Sequence, residues 1–176
     1  SAVTGNINYR TIQTGLPSGT TMRSIANNGD NWFLTTNKGV YTSTTGATWT
    51  PANDGLATSD VTVALGFRTT VLLGTRKEGI YTTPASALNW VSRNTNFNNL
   101  ETYAMESSGE RIVVAATEKG VFVSRDLAAS YVRANKGLSD SLNVTYLKFY
   151  GSSLYASTQN GGVFVSDENE KTWTAL

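Results

Sequence analysis

Along this chain apolar and polar residues alternate in short runs, and no stretch repeats apolar residues at helical spacing. The first set of runs predicts strands over Met22 to Ala26, Trp32 to Thr36, Val40 to Ser43 and Thr48 to Ala52. Turn sequences separate them, Asn28-Gly29-Asp30 between the first two and Asn37-Lys38-Gly39 between the second and third. The pattern then recurs. A second set covers Val61 to Leu65, Val71 to Thr75, Ile80 to Thr83 and Trp90 to Arg93; a third covers Tyr103 to Glu106, Ile112 to Thr117, Val121 to Ser124 and Tyr131 to Ala134. The last set covers Val144 to Tyr150, Leu154 to Thr158, Val163 to Ser166 and Thr172 to Leu176. Runs such as Val71-Leu72-Leu73 suit strands buried on both faces.

Laid over one another, the sets share a Thr (Thr36, Thr75, Thr117, Thr158), a Gly (Gly39, Gly79, Gly120, Gly162) and an aromatic residue (Trp49, Trp90, Tyr131, Trp173). The glycines step by 40, 41 and 42 residues, giving repeats over roughly 15–54, 55–95, 96–136 and 137–176. Four-stranded units of this period are the blades of a β-propeller, whose sheets pack face to face. A sandwich of sixteen strands would not demand a fixed period. The expected fold is therefore all-β, a single or partial propeller domain of four four-stranded blades. One strand is left over. Ile7 to Ile12 alternates, and Tyr9 stands 40 residues before Trp49, so this opening run is equivalent to an outermost strand. In a closed ring it competes with Thr172 to Leu176 for one place. An unpaired edge templates association, so the expectation is a homo-oligomer, for instance a dimer forming a larger ring, or a piece of a larger propeller. A closed four-bladed monomer is the alternative.

Composition narrows the chemistry. Lys and Arg total 14 against 13 Asp and Glu, scattered singly, which leaves no basic stripe for nucleic acid or anionic lipid. No apolar run reaches the roughly 20 residues of a membrane helix, so no membrane insertion is expected. The chain has no cysteine and no histidine. That removes thiolate nucleophiles, zinc-thiolate sites, Ser/His/Asp triads and the usual general base near neutral pH. No cofactor and no metal site is expected. Abundant Thr, Ser, Asn and Gly give the composition of secreted bacterial β-proteins, pointing to an extracellular or periplasmic location.

Ser124-Arg125-Asp126-Leu127-Ala128-Ala129-Ser130-Tyr131 resembles the Asp-box, or BNR repeat, whose pattern is Ser-x-Asp-x-Gly-x-Thr-Trp. Ser166 to Trp173 keeps Ser166, Thr172 and Trp173, with Glu168 and Glu170 at the Asp and Gly positions. Ser43 to Trp49 keeps Gly46, Thr48 and Trp49 in a shorter loop, and the second copy keeps little beyond Trp90. Across nearly the whole chain the copies resemble Asp-box propellers, the sialidase, sortilin and Ycf48-like group. The resemblance implies that Ser43, Trp49, Trp90, Ser124, Asp126, Tyr131, Ser166 and Trp173 are structural: a short acid tethers turn amides and the aromatic ring buries its area between blades.

Binding residues are expected where innermost strands meet one mouth of the channel. Counting back from the glycines places Thr20, Asp60, Glu101 and Asn143 there, with Arg23, Tyr103 and Tyr146 beside them. Such a polar, aromatic rim suits a protein or glycan ligand. The resemblance also raises glycoside hydrolysis, of the sialidase or β-glucanase type, by this chain or by a larger enzyme of which it is a fragment. A retaining or inverting enzyme needs two carboxylates roughly 5 to 9.5 Å apart, and Asp60 with Glu101 is the candidate pair. The sialidase Arg-Ile-Pro signature is absent, and no catalytic residue of either enzyme group maps onto the chain. A non-enzymatic binding scaffold is the expected function.

Overall fold

A computed structural model describes residues 13–84, 87–97, 101–108, 112–139, 143–167 and 172–176. Among them are sixteen strands in four antiparallel sheets, each sheet formed from four consecutive strands. The first blade holds β1 (Met22–Asn27), β2 (Trp32–Thr36), β3 (Gly39–Ser43) and β4 (Thr50–Pro51). The second holds β5 (Val61–Phe67), β6 (Thr70–Thr75), β7 (Ile80–Pro84) and β8 (Val91–Ser92). The third holds β9 (Thr102–Ser108), β10 (Ile112–Thr117), β11 (Gly120–Ser124) and β12 (Val132–Arg133), and the fourth β13 (Val144–Tyr150), β14 (Ser153–Thr158), β15 (Gly162–Asp167) and β16 (Thr174–Ala175). The leftover strand expected over Ile7 to Ile12 lies outside the described residues.

The shared residues lock the turn between the second and third strands. Thr36, Thr75, Thr117 and Thr158 each donate their hydroxyl to the carbonyl of the shared glycine, at 2.8, 2.8, 3.1 and 3.0 Å, and accept an amide hydrogen from within the turn. Three of these glycines face an asparagine that follows the outermost strand. Asn53, Asn94 and Asn135 accept the amide hydrogens of Val40, Ile80 and Val121, each at 2.8 Å. A Cβ on Gly39 would lie 2.2 Å from the Asn53 side chain, and φ there is +102°. Both the dihedral and the clamp exclude a side chain.

The outermost strands are shorter than the alternation predicts. Their opening aromatic residue leaves the ladder to bond backward to the preceding connector: the amides of Trp49, Trp90, Tyr131 and Trp173 donate to the carbonyls of Thr14, Asp54, Thr95 and Lys136 at 2.9, 2.8, 3.1 and 2.7 Å. Each ring then fills the space between blades. Trp90 Nε1 donates to the Ala52 carbonyl at 2.8 Å, and Trp173 Nε1 to that of Ala134 at 2.7 Å. In the third copy Asp126 accepts the Ser130 amide at 2.9 Å and the Ser124 and Ser130 hydroxyls at 2.8 and 2.5 Å, while Ser124 Oγ accepts the Ala128 amide. These bonds hold the Asp126 carboxyl down to about 2, the Ser130 hydroxyl contributing most.

Each blade has a leading face toward the preceding blade and a trailing face toward the next. Phe33 and Val40 on the first trailing face meet Ala64, Leu73, Tyr81 and Trp90 of the second blade. Phe67, Leu72 and Ile80 meet Met105, Phe122 and Tyr131; Ala116, Val121 and Val123 meet Leu147, Leu154, Phe164 and Trp173. Edge-on rings sit in the junctions, Phe33 with Trp90 at 6.2 Å and Phe97 with Phe122 at 5.0 Å. The inner strands β1, β5, β9 and β13 neighbour one another in that order, whereas β13 has no such packing on β1. Among the described residues the four blades form an open arc.

Candidate functional site

A β-bulge near the start of each inner strand sets the site. Opposite consecutive residues of the second strand, the inner strands skip Arg23, Thr62, Tyr103 and Thr145. A bulged residue leaves the ladder and its side chain is re-aimed. These four lie just beyond the entry positions Thr21, Asp60, Glu101 and Asn143 on their own strands. The carbonyls of Thr21, Asp60 and Asn143 accept the amide hydrogens of Asn37, Arg76 and Gln159 at 3.2, 3.1 and 2.9 Å, which fixes the equivalence.

One expected residue moves. Thr21 rather than Thr20 shares the position of Asp60, Glu101 and Asn143; the Thr20 hydroxyl bonds locally to the Pro17 carbonyl at 2.6 Å. The loop into the first blade is one residue off the count made from the glycine, because the spacing between entry and turn varies between repeats. Tyr146 stays at the groove but is not the bulged residue of its strand. Thr145 is, and Tyr146 stands one residue on, exposed, on the fourth trailing face.

Arg23, Asp60, Glu101 and Tyr103 meet in one charged network. Arg23 pairs with Asp60 and also donates to the Val61 carbonyl at 3.1 Å. Arg76 donates from Nε to Asp60 Oδ2 at 3.1 Å and from Nη1 to Glu101 Oε1 at 3.0 Å. One guanidinium therefore joins acids of adjacent blades, and the network spans three blades. Partial burial pushes the Asp60 carboxyl up, but hydrogen bonds and charge from Arg23 and Arg76 outweigh it and hold the group below the usual carboxylate range. Burial raises the Tyr103 phenol, and the charge and hydrogen bond of Glu101 raise it further. Asn143 is separate from this network and donates to Gln159 Oε1 at 2.9 Å.

Arg76, Thr62 and Thr145 were outside the expected rim. Arg76 could have been found from its place directly after the shared Thr75, where Asn37 and Gln159 also stand. Nothing in the sequence marks the bulged threonines. Below the network runs a groove of about 410 Å³ lined by all four inner strands, including Arg23, Thr62, Tyr103, Glu106 and Tyr146. Lys148 donates to Glu106, one of the lining residues, at 2.7 Å and is raised by that contact. Among the described residues no group of three or more Asp or Glu is placed to hold a metal ion.

No protein-family model matches the chain, and no curated protein is significantly similar to it. Solved structures are. The extracellular domain of the one-component system BT4673 from B. thetaiotaomicron superposes with a TM-score of 0.76 at 18% identity, over 96% of this chain and 24% of that one. With four bladed sheets already evident, this superposition decides the architecture. The fold is a β-propeller. The propeller of YCF48 bound to D1 peptide aligns with a TM-score of 0.68 at 16% identity, covering 95% of this chain and 56% of that one. The computationally designed Ika4 protein aligns at 0.71 and 17%, over 91% of this chain and 99% of that one. A GH74 xyloglucanase from Xanthomonas campestris aligns at 0.66 and 15%, over 94% and 26%. The present chain thus spans the whole of one propeller neighbour and only a quarter to about half of the others.

Proposed function

We propose that this propeller is a non-enzymatic module that binds a segment of another protein along the groove of its inner strands, outside the cytoplasm. The observation that carries the reading is the Arg23, Asp60, Arg76 and Glu101 network above that groove. Its acids are committed to guanidinium groups, so they fix a rim of alternating charge instead of acting as a proton-transfer pair. A glycosidase acid must be protonated at working pH, whereas Asp60 is shifted toward the ionised form. Carbonyl and amide groups of an extended polypeptide match a rim that offers both donors and acceptors. The peptide in the YCF48 structure and the extracellular BT4673 domain accord with this reading and its location. Glycan binding is the second reading, favoured by the exposed Tyr146 ring in the groove.

The test is a peptide library and a glycan array probed with the wild type and with Tyr103→Ala and Arg76→Ala, run beside hydrolysis assays on β-glucans and sialosides. Peptide capture weakened at least about tenfold by each substitution, the loss of one buried charged or aromatic contact of about 1.4 kcal/mol, is the expected result. Capture of glycans alone replaces the protein ligand with a sugar. Turnover that disappears in Asp60→Asn or Glu101→Gln overturns the non-enzymatic reading.

A further inference from the structure

The two ends of the arc expose side chains that every internal junction buries. On the first leading face Met22 is 43% exposed, whereas its counterparts Val61, Thr102 and Val144 are at 0%. Ile25 is 56% exposed against 8%, 6% and 1% for Ala64, Met105 and Leu147, and Trp32 is 39% exposed against 0% for Val71 and Leu154. The fourth trailing face shows the same contrast. Val163 is 43% exposed where Val40, Ile80 and Val121 are at 0%, and Tyr150 is 79% exposed where Phe67 is at 4%. Large apolar side chains gathered at both ends of one arc mark interaction surfaces.

The kind of partner is written in the internal junctions. Three times in this chain a trailing face receives a leading face built on the same positions. Among the described residues one half of that junction is therefore unused at each end of the arc. We infer that two copies associate head to tail, the fourth trailing face of each receiving the first leading face of the other, so that the pair closes into one ring. Such a contact is heterologous, and a rotation that brings the second contact into register closes it instead of letting it extend. The groove gains from closure as well. Among the described residues Tyr146 on β13 has no inner strand packed on its far side, and β1 of the second copy supplies that wall. The site described above is complete only in the pair.

The test uses the whole chain and two exposed positions where a charge does not disturb the fold of a single copy, Ile25→Asp on the leading face and Val163→Asp on the trailing face. Sedimentation of the wild type at micromolar concentration is expected to give twice the 18.9 kDa chain mass, and each variant alone the mass of one chain. An equimolar mixture of the two variants has one unmutated junction and is expected to form mixed pairs. A single-chain mass for the wild type overturns the inference, as does a variant that stays paired or a mixture that forms no mixed pair. A readout on the unmutated chain is independent of variant folding. Trp32 is the exposed tryptophan, while Trp49, Trp90 and Trp173 are at 5%, 2% and 3%. Acrylamide quenching that rises on dilution, and no longer does so in Trp32→Phe, supports the pair; quenching that is flat across the dilution series overturns it.

Discussion

Tyr131 is the aromatic residue of the third repeat, where the other three have tryptophan. The difference leaves a polar atom stranded. Trp90 and Trp173 satisfy their indole N–H on a carbonyl of the neighbouring outermost segment, but the Tyr131 hydroxyl, in a side chain 1% exposed, has no partner among the described residues. A buried hydroxyl left unbonded costs about 1 to 3 kcal/mol. Removing the oxygen leaves a void of roughly 10 Å³, a loss of about 0.2 kcal/mol at the usual cavity coefficient. Tyr131→Phe is therefore expected to stabilise the protein by about 1 to 2 kcal/mol, or about 2 to 8 °C in Tm for a domain of this size. Trp90→Phe is expected to do the reverse, losing about 2 kcal/mol because its bond to Ala52 is broken and volume is removed. Urea titrations at neutral pH measure both. The alkaline limb adds a sign. Burial raises the Tyr131 phenol above its ordinary 10.0, so its contribution is intact below that pH and fades above it, where the unfolded chain ionises first. The advantage of Tyr131→Phe should widen above pH 10. A Tyr131→Phe protein less stable than wild type by 1 kcal/mol or more, roughly one lost hydrogen bond, would refute the account of a stranded hydroxyl.

Three further outcomes follow from the connectors and the turn. Gly55 has a φ of +86°, and a Cβ there would lie 2.2 Å from the Trp90 carbonyl oxygen, so Gly55→Ala should cost at least about 2 kcal/mol. The equivalent third-repeat residue, Asn96 at φ 59°, already tolerates that region, and Asn96→Gly should stay within about 1 kcal/mol of wild type by thermal melting. Asp126→Ala should cost about 1 kcal/mol at pH 7 through the loss of its turn bonds. Because the folded Asp126 carboxyl is depressed to about 2, its contribution is present above the unfolded value near 3.9 and is lost as pH falls toward 2. Melting curves of the two proteins should converge over that window, and a gap undiminished at pH 2 counts against the carboxylate as its source.

The sheets were legible in the sequence because the hairpins are local. Alternation, Asn-Gly turns and a repeated Thr and Gly each report on neighbours a few residues apart, and the strands follow them closely. The short outermost strands were not legible, since Trp90 leaves its ladder for the Asp54 carbonyl, a partner 36 residues away. The clamping role of Asn53, Asn94 and Asn135 was hidden for the same reason: their spacing from the glycines carries no local turn signature. At the mouth, Arg23, Asp60, Glu101 and Tyr103 were placed by counting, but bulges decide which side chains face the channel. One extra residue in β13 takes Thr145 out of the ladder, its hydroxyl turning to Ser157, and sets Tyr146 at the groove on the fourth trailing face, a distinction the alternation cannot make.

The backward bond from each aromatic residue to the preceding connector has a consequence for how the molecule comes apart. The covalent repeat and the cooperative unit are out of phase, since a blade is completed only by a segment belonging to the blade before it. Coupling therefore runs between nearest neighbours in a line, and a break in one connector releases the rim of the following blade. Amide exchange should accordingly report a gradient instead of a single opening event.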